Sequence, residues 1–210
     1  MGVPDWLYSL DRAVALGPEH LSCYALIFEP GTLFFTRRAR GAIRAVAEEE
    51  ELRMFRLTER RLRHAGWRRY EVSNFARPGR RCRHNLRYWR NESYFGYGAG
   101  AVSYADGERT RNERNPGRYA EAVFRRGRAV VTRERLRGRD GAAETIFLGL
   151  RTAEGVQLRR VGRRYGVDTD REFGGIAARL RRDGLLRAGA PLRLTRRGWR
   201  LADAVAGAFL

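Results

Sequence analysis

The segment CRHNLRYW, from Cys82 to Trp89, holds the side chains of this chain that are best suited to chemistry. His84 lies two residues after Cys82 and is followed by Asn85, Tyr88 and Trp89. A neutral imidazole is a good axial ligand for haem iron, and flat aromatic rings can cover a macrocycle. Guanidinium groups can pair with propionate carboxylates, and five arginines flank the histidine: Arg80, Arg81, Arg83, Arg87 and Arg90.

A structural role for the same residues is the alternative, and spacing alone favours it. His84 would then be a loop histidine bonded to the backbone, and Tyr88 and Trp89 would anchor the loop to the core. Cys82 is either a ligand or a buried thiol, because one cysteine and one histidine cannot complete a structural zinc site of four ligands. The other histidines, His20 and His64, fit structural positions at a strand start and a helix C-terminus.

A second candidate feature is the run YFGYGAGAVSY, in which Gly96, Gly98 and Gly100 alternate. A phosphate-binding loop needs a helix directly after the glycines, and none is predicted here. Close approach of the backbone to a flat ligand or to a neighbouring strand is the favoured explanation. The chain contains no Ser-His-Asp signature, no paired-carboxylate signature and no P-loop.

Composition limits the class of protein. The 210 residues are 43% hydrophobic and 11% aromatic, which indicates a folded chain with a sizeable core. Two cysteines exclude a disulfide scaffold and predict a reducing, cytoplasmic location. No run is apolar enough to span a membrane, and the N-terminal residues do not resemble a signal peptide.

The formal net charge of +19 would ordinarily suggest a nucleic-acid partner. All 43 basic residues are arginine, however, and they spread over the whole chain. Arginine without lysine, together with abundant alanine and glycine, is typical of GC-rich codon usage. We therefore interpret the charge as a solvated basic surface, and nucleic acid as an unlikely partner.

The first part of the chain is predicted to be α/β. A helix carries Leu7, Leu10 and Val14, a buried strand spans 20–28, a helix spans 45–65 and a strand spans 67–75. This alternation predicts parallel strands.

The segments that follow are predicted to be a loop, a hairpin and a helix. Residues 76–93 form an irregular Arg-rich loop in this prediction. A hairpin turns at Asp106-Gly107, a helix starts near Tyr119, and an Arg-rich linker at about 125–140 marks a boundary.

The last 70 residues are predicted to be a separate winged-helix-like domain. Apolar residues at helical spacing indicate three helices, carried by Ile146, Phe147 and Leu150, by Val161 and Tyr165, and by Phe173, Ile176 and Leu180. Residues 185–194 are predicted to be a two-stranded wing. Thr195 caps a final helix. The predicted domains are residues 1–130 and 140–210.

The stretch EVSNFARPGRRCRHNLRYWRNESYFGYGAGAVSY closely resembles the signature of the HemW family, haem chaperones related to oxygen-independent coproporphyrinogen III oxidase. Upstream, LGPEHLSCYALIFEPGT is similar to the family's sixth barrel strand and the loop after it. Downstream, ETIFLGLRTAEGV, DGLL and LRLTRRGWRLADAV are similar to its C-terminal domain. The resemblance implies the C-terminal part of a radical S-adenosylmethionine barrel, followed by a winged-helix-like HemN C-terminal domain.

The resemblance also implies roles for single residues. His84, in the motif with Asn85, Tyr88 and Trp89, is implied as the haem ligand. Ile27 and Val102 match positions that line the S-adenosylmethionine pocket in the related oxidase. Val102 departs from the chaperone pattern, which usually has histidine there.

The family's [4Fe–4S] cluster is held by three cysteines in the pattern C-x3-C-x2-C, and this chain has only Cys23 and Cys82. The resemblance therefore covers the half without the cluster ligands, and radical chemistry is not expected of this chain alone. The implied partners are haem, haem-accepting proteins in the cytoplasm or the respiratory membrane, and the missing N-terminal half or a second chain that replaces it.

Two alternatives to a haem chaperone stay open. The first is the enzyme class that decarboxylates coproporphyrinogen III, against which the HNLRYW motif argues. The second is a nucleic-acid-binding module that uses the basic winged-helix segment. Its weakness is that the arginines concerned need not share one face: Arg181, Arg182, Arg196, Arg197 and Arg200.

Overall fold

The structure, a computed structural model, describes residues 2–210. The chain divides into two compact units, one ending at Cys82 and the other running from Arg83 to Leu210. Each unit contains helices and a three-stranded sheet, so the predicted α/β class is confirmed.

The first unit has three helices and three short strands: α1 (Val3–Ala15), β1 (His20–Ser22), α2 (Leu33–Ala39), α3 (Glu48–His64), β2 (Arg68–Arg69) and β3 (Asn74–Ala76). Glutamates fill the first turn of α3 and basic residues its last turn, as the helix dipole prefers. The indole Nε1 of Trp6 in α1 donates to Thr58 Oγ1 in α3 over 2.8 Å. The core of this unit is Leu10, Leu62, Trp67 and Phe75.

The strands of the first unit are not hydrogen-bonded as parallel neighbours, so that prediction is wrong. Their order is β1-β3-β2, and both pairings are antiparallel. The predicted strand over 67–75 is in fact two strands, because the chain reverses between Tyr70 and Asn74, where the Tyr70 N–H donates to the Asn74 carbonyl. The helical crossover does leave β1 and β2 pointing the same way, but β3 lies between them.

The predicted buried strand over 20–28 is also wrong beyond Ser22. The last bond of its ladder runs from the Cys23 N–H to the Ser73 carbonyl. Tyr24, Leu26 and Ile27 are 68%, 61% and 72% exposed. Within residues 2–210 no strand pairs with residues 24–28. Because no other layer covers them, their apolar side chains stay at the surface.

Glu71 is a buried carboxylate at the β2–β3 reversal, 1% exposed. The Ser73 N–H donates to its Oε2 over 3.4 Å, whereas Oε1 has no hydrogen-bond partner within the described residues. Burial raises the pKa of the Glu71 carboxyl above its ordinary value of 4.5. The folded state therefore keeps this proton to a higher pH than the unfolded chain does.

The Glu71→Gln variant is expected to be more stable than the wild type at neutral pH, by about 1 kcal/mol. As pH rises through 4.5, the unfolded chain ionises first, so the wild-type free energy of unfolding falls until the folded-state pKa is passed. Because glutamine cannot ionise, the free energy of unfolding of the Glu71→Gln variant should not fall over this pH range. Urea denaturation between pH 4 and 8 measures both curves.

Glu29 is exposed and provides the matched control, since Glu29→Gln should keep the wild-type pH dependence. Equal slopes for the Glu71→Gln variant and the wild type would contradict the assignment of the fall to Glu71.

The second unit has seven helices and three strands among residues 83–210: α4 (Arg83–Trp89), β4 (Val102–Ala105), β5 (Glu108–Asn112), α5 (Pro116–Arg126), β6 (Val130–Arg135), α6 (Gly138–Gly149), α7 (Leu158–Tyr165), α8 (Thr169–Arg182), α9 (Arg196–Arg200) and α10 (Ala202–Gly207). The sheet has the order β4-β5-β6 and is antiparallel throughout. Asp106 and Gly107 both have positive φ, 52° and 76°, which confirms the predicted tight hairpin turn.

Two segments predicted to be irregular contain regular structure. Residues 76–93 include α4, because Leu86 is buried against the rest of the unit and holds one face of the helix. The predicted linker at 125–140 includes β6, whose Arg133 and Arg135 pair with Glu108 of the neighbouring strand. The predicted division into domains 1–130 and 140–210 stays a prediction.

The C-terminal helices α6, α7 and α8 pack around Ile146 and Phe173, which are both fully buried. The predicted wing is reduced to an antiparallel bridge between Leu186 and Leu194. The predicted final helix is broken at Leu201 into α9 and α10, and Thr195 caps α9 as predicted, by accepting the Gly198 N–H.

Candidate functional site

Helix α4 presents the motif residues on different sides. His84 and Tyr88 are exposed, Asn85 and Trp89 are half-buried, and Leu86 is buried. The helix is only seven residues long, too short to be stable in isolation. It therefore depends on what it packs against.

An array of aromatic rings runs inward from His84. The His84 imidazole contacts the Tyr88 ring edge-on, with centroids 4.9 Å apart. Tyr88 contacts Tyr94 at 4.4 Å, and Tyr94 lies 6.3 Å from the buried Tyr104. Burial raises the pKa of Tyr104 to about 12, so its phenol is neutral at neutral pH. The histidine ring therefore contacts an array of aromatic rings that ends in the core.

The glycine-rich segment lies against β4. A Cβ atom on Gly96 would collide with the backbone of Val102, so only glycine fits there. The Tyr94 and Tyr104 backbones exchange hydrogen bonds of 2.7 and 2.9 Å at the same place. Close approach to a neighbouring strand, one of the two predicted explanations for the glycines, is confirmed for Gly96, whereas a Cβ atom on Gly98 would meet nothing within 4 Å. Val102 itself is half-buried in β4.

The arginines around the motif differ in their partners. Arg87 donates to the Ser93 carbonyl over 3.0 Å, and Arg90 forms a forked ion pair with Glu154. Arg83 is exposed, and its guanidinium forms no hydrogen bond or ion pair within residues 2–210. The guanidinium of Arg83 is therefore available to an anionic group of a ligand beside the helix.

Beneath the helix lies a polar network that sequence reasoning missed. It consists of Asn91, Tyr104, Thr145, Arg164 and Tyr165, which come from four separate segments. Neither spacing nor periodicity relates these positions, so no local pattern marks them.

The remaining histidines have the structural roles that the sequence predicts. His20 Nε2 lies 2.9 Å from the Tyr70 hydroxyl, and His64 Nδ1 lies 2.7 Å from the Arg60 carbonyl. The free thiols do not form a metal site: within residues 2–210, no three His, Cys, Asp or Glu side chains are grouped around a common point. The described residues thus do not fit a [4Fe–4S] cluster.

Ile27 lines a cavity of about 640 Å³ in the first unit. Its wall is largely apolar and includes Cys23, Phe28, Met54 and Phe55. Burial raises the pKa of the Cys23 thiol to about 11, so this sulfur stays protonated at neutral pH. The cavity could accept an uncharged, flat group such as an adenine ring.

Comparison with a solved structure identifies the fold. The whole chain matches 52% of Escherichia coli coproporphyrinogen III oxidase (HemN), described as a radical SAM enzyme, with a TM-score of 0.79 and 18% sequence identity. Residues 136–201 match the HemN C-terminal domain family. The chain therefore has the HemN-like α/β fold, and the predicted fold class is confirmed.

Sequence comparison then specifies the relatives. The chain is 35% identical over 204 residues to heme chaperone HemW of Bacillus subtilis, covering 97% of this chain and 54% of that one. It is 38% identical to heme chaperone HemW of Mycobacterium tuberculosis, covering 98% of this chain and 51% of that one. The chain is thus a relative of the HemW-type heme chaperones that matches their C-terminal half, and it spans about half their length.

Proposed function

We propose that this chain binds haem through His84 and passes it to haem-accepting proteins. The observation that carries the proposal is the state of the His84 ring, which is exposed and held edge-on by Tyr88. Neither ring nitrogen is hydrogen-bonded within residues 2–210. An imidazole with an accessible nitrogen and a fixed plane is suited to axial ligation of iron.

The surroundings of His84 favour a tetrapyrrole. Tyr88 is 38% exposed and offers a ring face beside the histidine. Arg83, one residue before His84, is free to pair with a propionate. Haem is the cargo in this proposal, and an exposed site permits its release to an acceptor. Asn85 and Trp89 complete the motif from its half-buried side.

The exposed residues Tyr24, Leu26 and Ile27 support a further part of the proposal. We propose that a segment or second chain, which would also supply the cluster ligands, covers them. Ile27 is a candidate for contact with S-adenosylmethionine through the cavity of the first unit. Val102, in the second unit, is a candidate through its correspondence with the related oxidase.

We propose the cytoplasm as the location, since a reducing compartment suits the unpaired Cys23 and Cys82. Among residues 2–210, none of the helices combines the length and the apolar character that a bilayer span requires. The likeness to coproporphyrinogen III oxidase, at 18% identity, supports the fold rather than that activity.

A haemin titration tests the proposal. The wild-type chain should show a saturable Soret shift, and His84→Ala should raise the dissociation constant about tenfold or more, since one ligand bond is worth at least about 1.4 kcal/mol. His64→Ala is the matched control, because His64 is exposed, as His84 is, but lies in the other unit, at the C-terminus of α3. Equal titrations for the wild type and both variants would contradict the assignment of His84.

A further inference from the structure

The last turn of α4 is connected to the C-terminal helices at Asn91. This residue is 3% exposed and has a φ of 51°, a conformation that asparagine tolerates better than most residues. Its N–H donates to the Tyr88 carbonyl over 3.0 Å, which ends the helix. Two other polar groups of Asn91 bond to the C-terminal helices. Its Nδ2 donates to Thr145 Oγ1 over 3.1 Å, and its carbonyl accepts from Arg164 over 2.7 Å.

The same helices are connected to the inner end of the aromatic array. The Thr145 hydroxyl lies 2.9 Å from the Tyr165 hydroxyl, and Tyr165 lies 3.5 Å from the Tyr104 hydroxyl. Arg164 also donates to the Tyr104 hydroxyl over 3.3 Å. Tyr104 is the last ring of the stack that begins at His84. The helix backbone and the ring stack therefore converge on Thr145, Arg164 and Tyr165.

Close packing keeps this group in place. A Cβ atom on Gly141 of α6 would overlap the Tyr165 ring, so the glycine allows α7 to approach α6. The Arg164 guanidinium lies 5.1 Å from the centroid of the same ring. The hydrogen bonds of the group are buried or partly buried, although Arg164 itself is exposed, and buried hydrogen bonds are strong and costly to leave unmade.

We propose that Thr145, Arg164 and Tyr165 are positioning residues that set the orientation of His84, so that the C-terminal helices α6 and α7 serve to aim the haem-binding motif. None of the three contacts His84 directly. They act through Asn91 at the end of α4 and through Tyr104 at the end of the ring stack. The orienting role itself does not depend on the proposed haem function, since the orientation of His84 can be measured without haem. Only the expected effect on haem binding rests on that function.

Thr145→Val and Thr152→Val form a matched pair for the test. Both threonines are buried, both are hydrogen-bonded, and both lie in or directly after α6. Thr145 belongs to the network, whereas among the described residues the Thr152 hydroxyl bonds only to the Gly149 carbonyl and the Gly155 N–H. Tyr165→Phe is the second network variant, because it removes the hydroxyl and keeps the packed ring.

The first readout is NMR of the full chain with ring-labelled histidine, without haem. The three histidine signals are assigned by His84→Ala and His64→Ala, and His20 and His64 serve as internal references. Thr145→Val and Tyr165→Phe should shift the His84 ring signals and weaken the nuclear Overhauser contact with the Tyr88 ring. Thr152→Val should leave both unchanged, even though thermal unfolding should reveal a comparable loss of stability in this variant.

The second readout is haemin titration. The two network variants should raise the dissociation constant about fivefold, as expected if about one molecule in five keeps His84 in the ligating orientation, and should change the spin state of the bound iron. Thr152→Val should bind as the wild type does. Network variants that match Thr152→Val in both readouts would overturn the inference. The network variants could shift the His84 signals while His84→Ala binds haemin as tightly as the wild type does. That result would support the positioning role and would overturn the assignment of His84 as the haem ligand.

Discussion

Replacing Phe173 with alanine is expected to lower the free energy of unfolding by about 3–5 kcal/mol. The Phe173 side chain is fully buried in α8 and lies 6.2 Å from the Phe209 ring, measured between centroids. The Arg139 guanidinium lies 5.5 Å above the same ring. Truncation therefore leaves a cavity that these neighbours cannot fill. Urea denaturation followed by circular dichroism measures the loss.

Phe124 offers a control of the same chemistry, because its side chain is 92% exposed on α5. Phe124→Ala should change the free energy of unfolding by less than about 0.5 kcal/mol. Comparable losses in the two variants would show that Phe173 does not occupy the centre of the C-terminal core.

Gly155→Ala is expected to cost about 3 kcal/mol of stability, from steric overlap in addition to backbone strain. Gly155 has a φ of 70°, and a Cβ atom there would overlap the Leu192 carbonyl. That carbonyl accepts the Val156 N–H over 2.9 Å, in the bridge that ties the chain after α6 to the segment before α9. The two segments joined by this bridge would have to separate. Chemical denaturation of the purified variant gives the value.

Gly166→Ala is the control that distinguishes backbone strain from steric overlap of the Cβ atom. Its φ of 66° is nearly the same, but no atom lies within 4 Å of the position that a Cβ would take. Gly166→Ala should therefore show only the backbone cost, about 1 kcal/mol. If both alanine variants lose the same amount, the close approach at Leu192 does not contribute.

The candidate site was only partly predictable from the sequence. Residue types and the motif resemblance were enough to select His84, Asn85, Tyr88 and Trp89, whose roles stay predictions. The sequence did not predict that they lie on a helix, because α4 has a single buried residue, Leu86, and its arginine-rich surface hides any periodicity.

The polar network shows the limit of local patterns more sharply. Thr145 is 54 residues away from Asn91 along the chain. A threonine inside a helix and a tyrosine at a helix end are ordinary in isolation, and only packing brings their hydroxyls within hydrogen-bond distance. A role for α6 and α7 in orienting His84 can therefore be inferred only from the folded chain.

By itself, the sequence determined the α/β class, the helix α3, the hairpin at Asp106-Gly107 and the relationship to HemW-type proteins, since these depend on local periodicity, turn chemistry and contiguous motifs. Tertiary structure decided which strands pair. It placed β3 between β1 and β2 because the chain reverses after Tyr70, and it left residues 24–28 exposed where a buried strand was predicted. Local periodicity records how apolar a segment is, whereas burial depends on a partner that the segment itself does not specify.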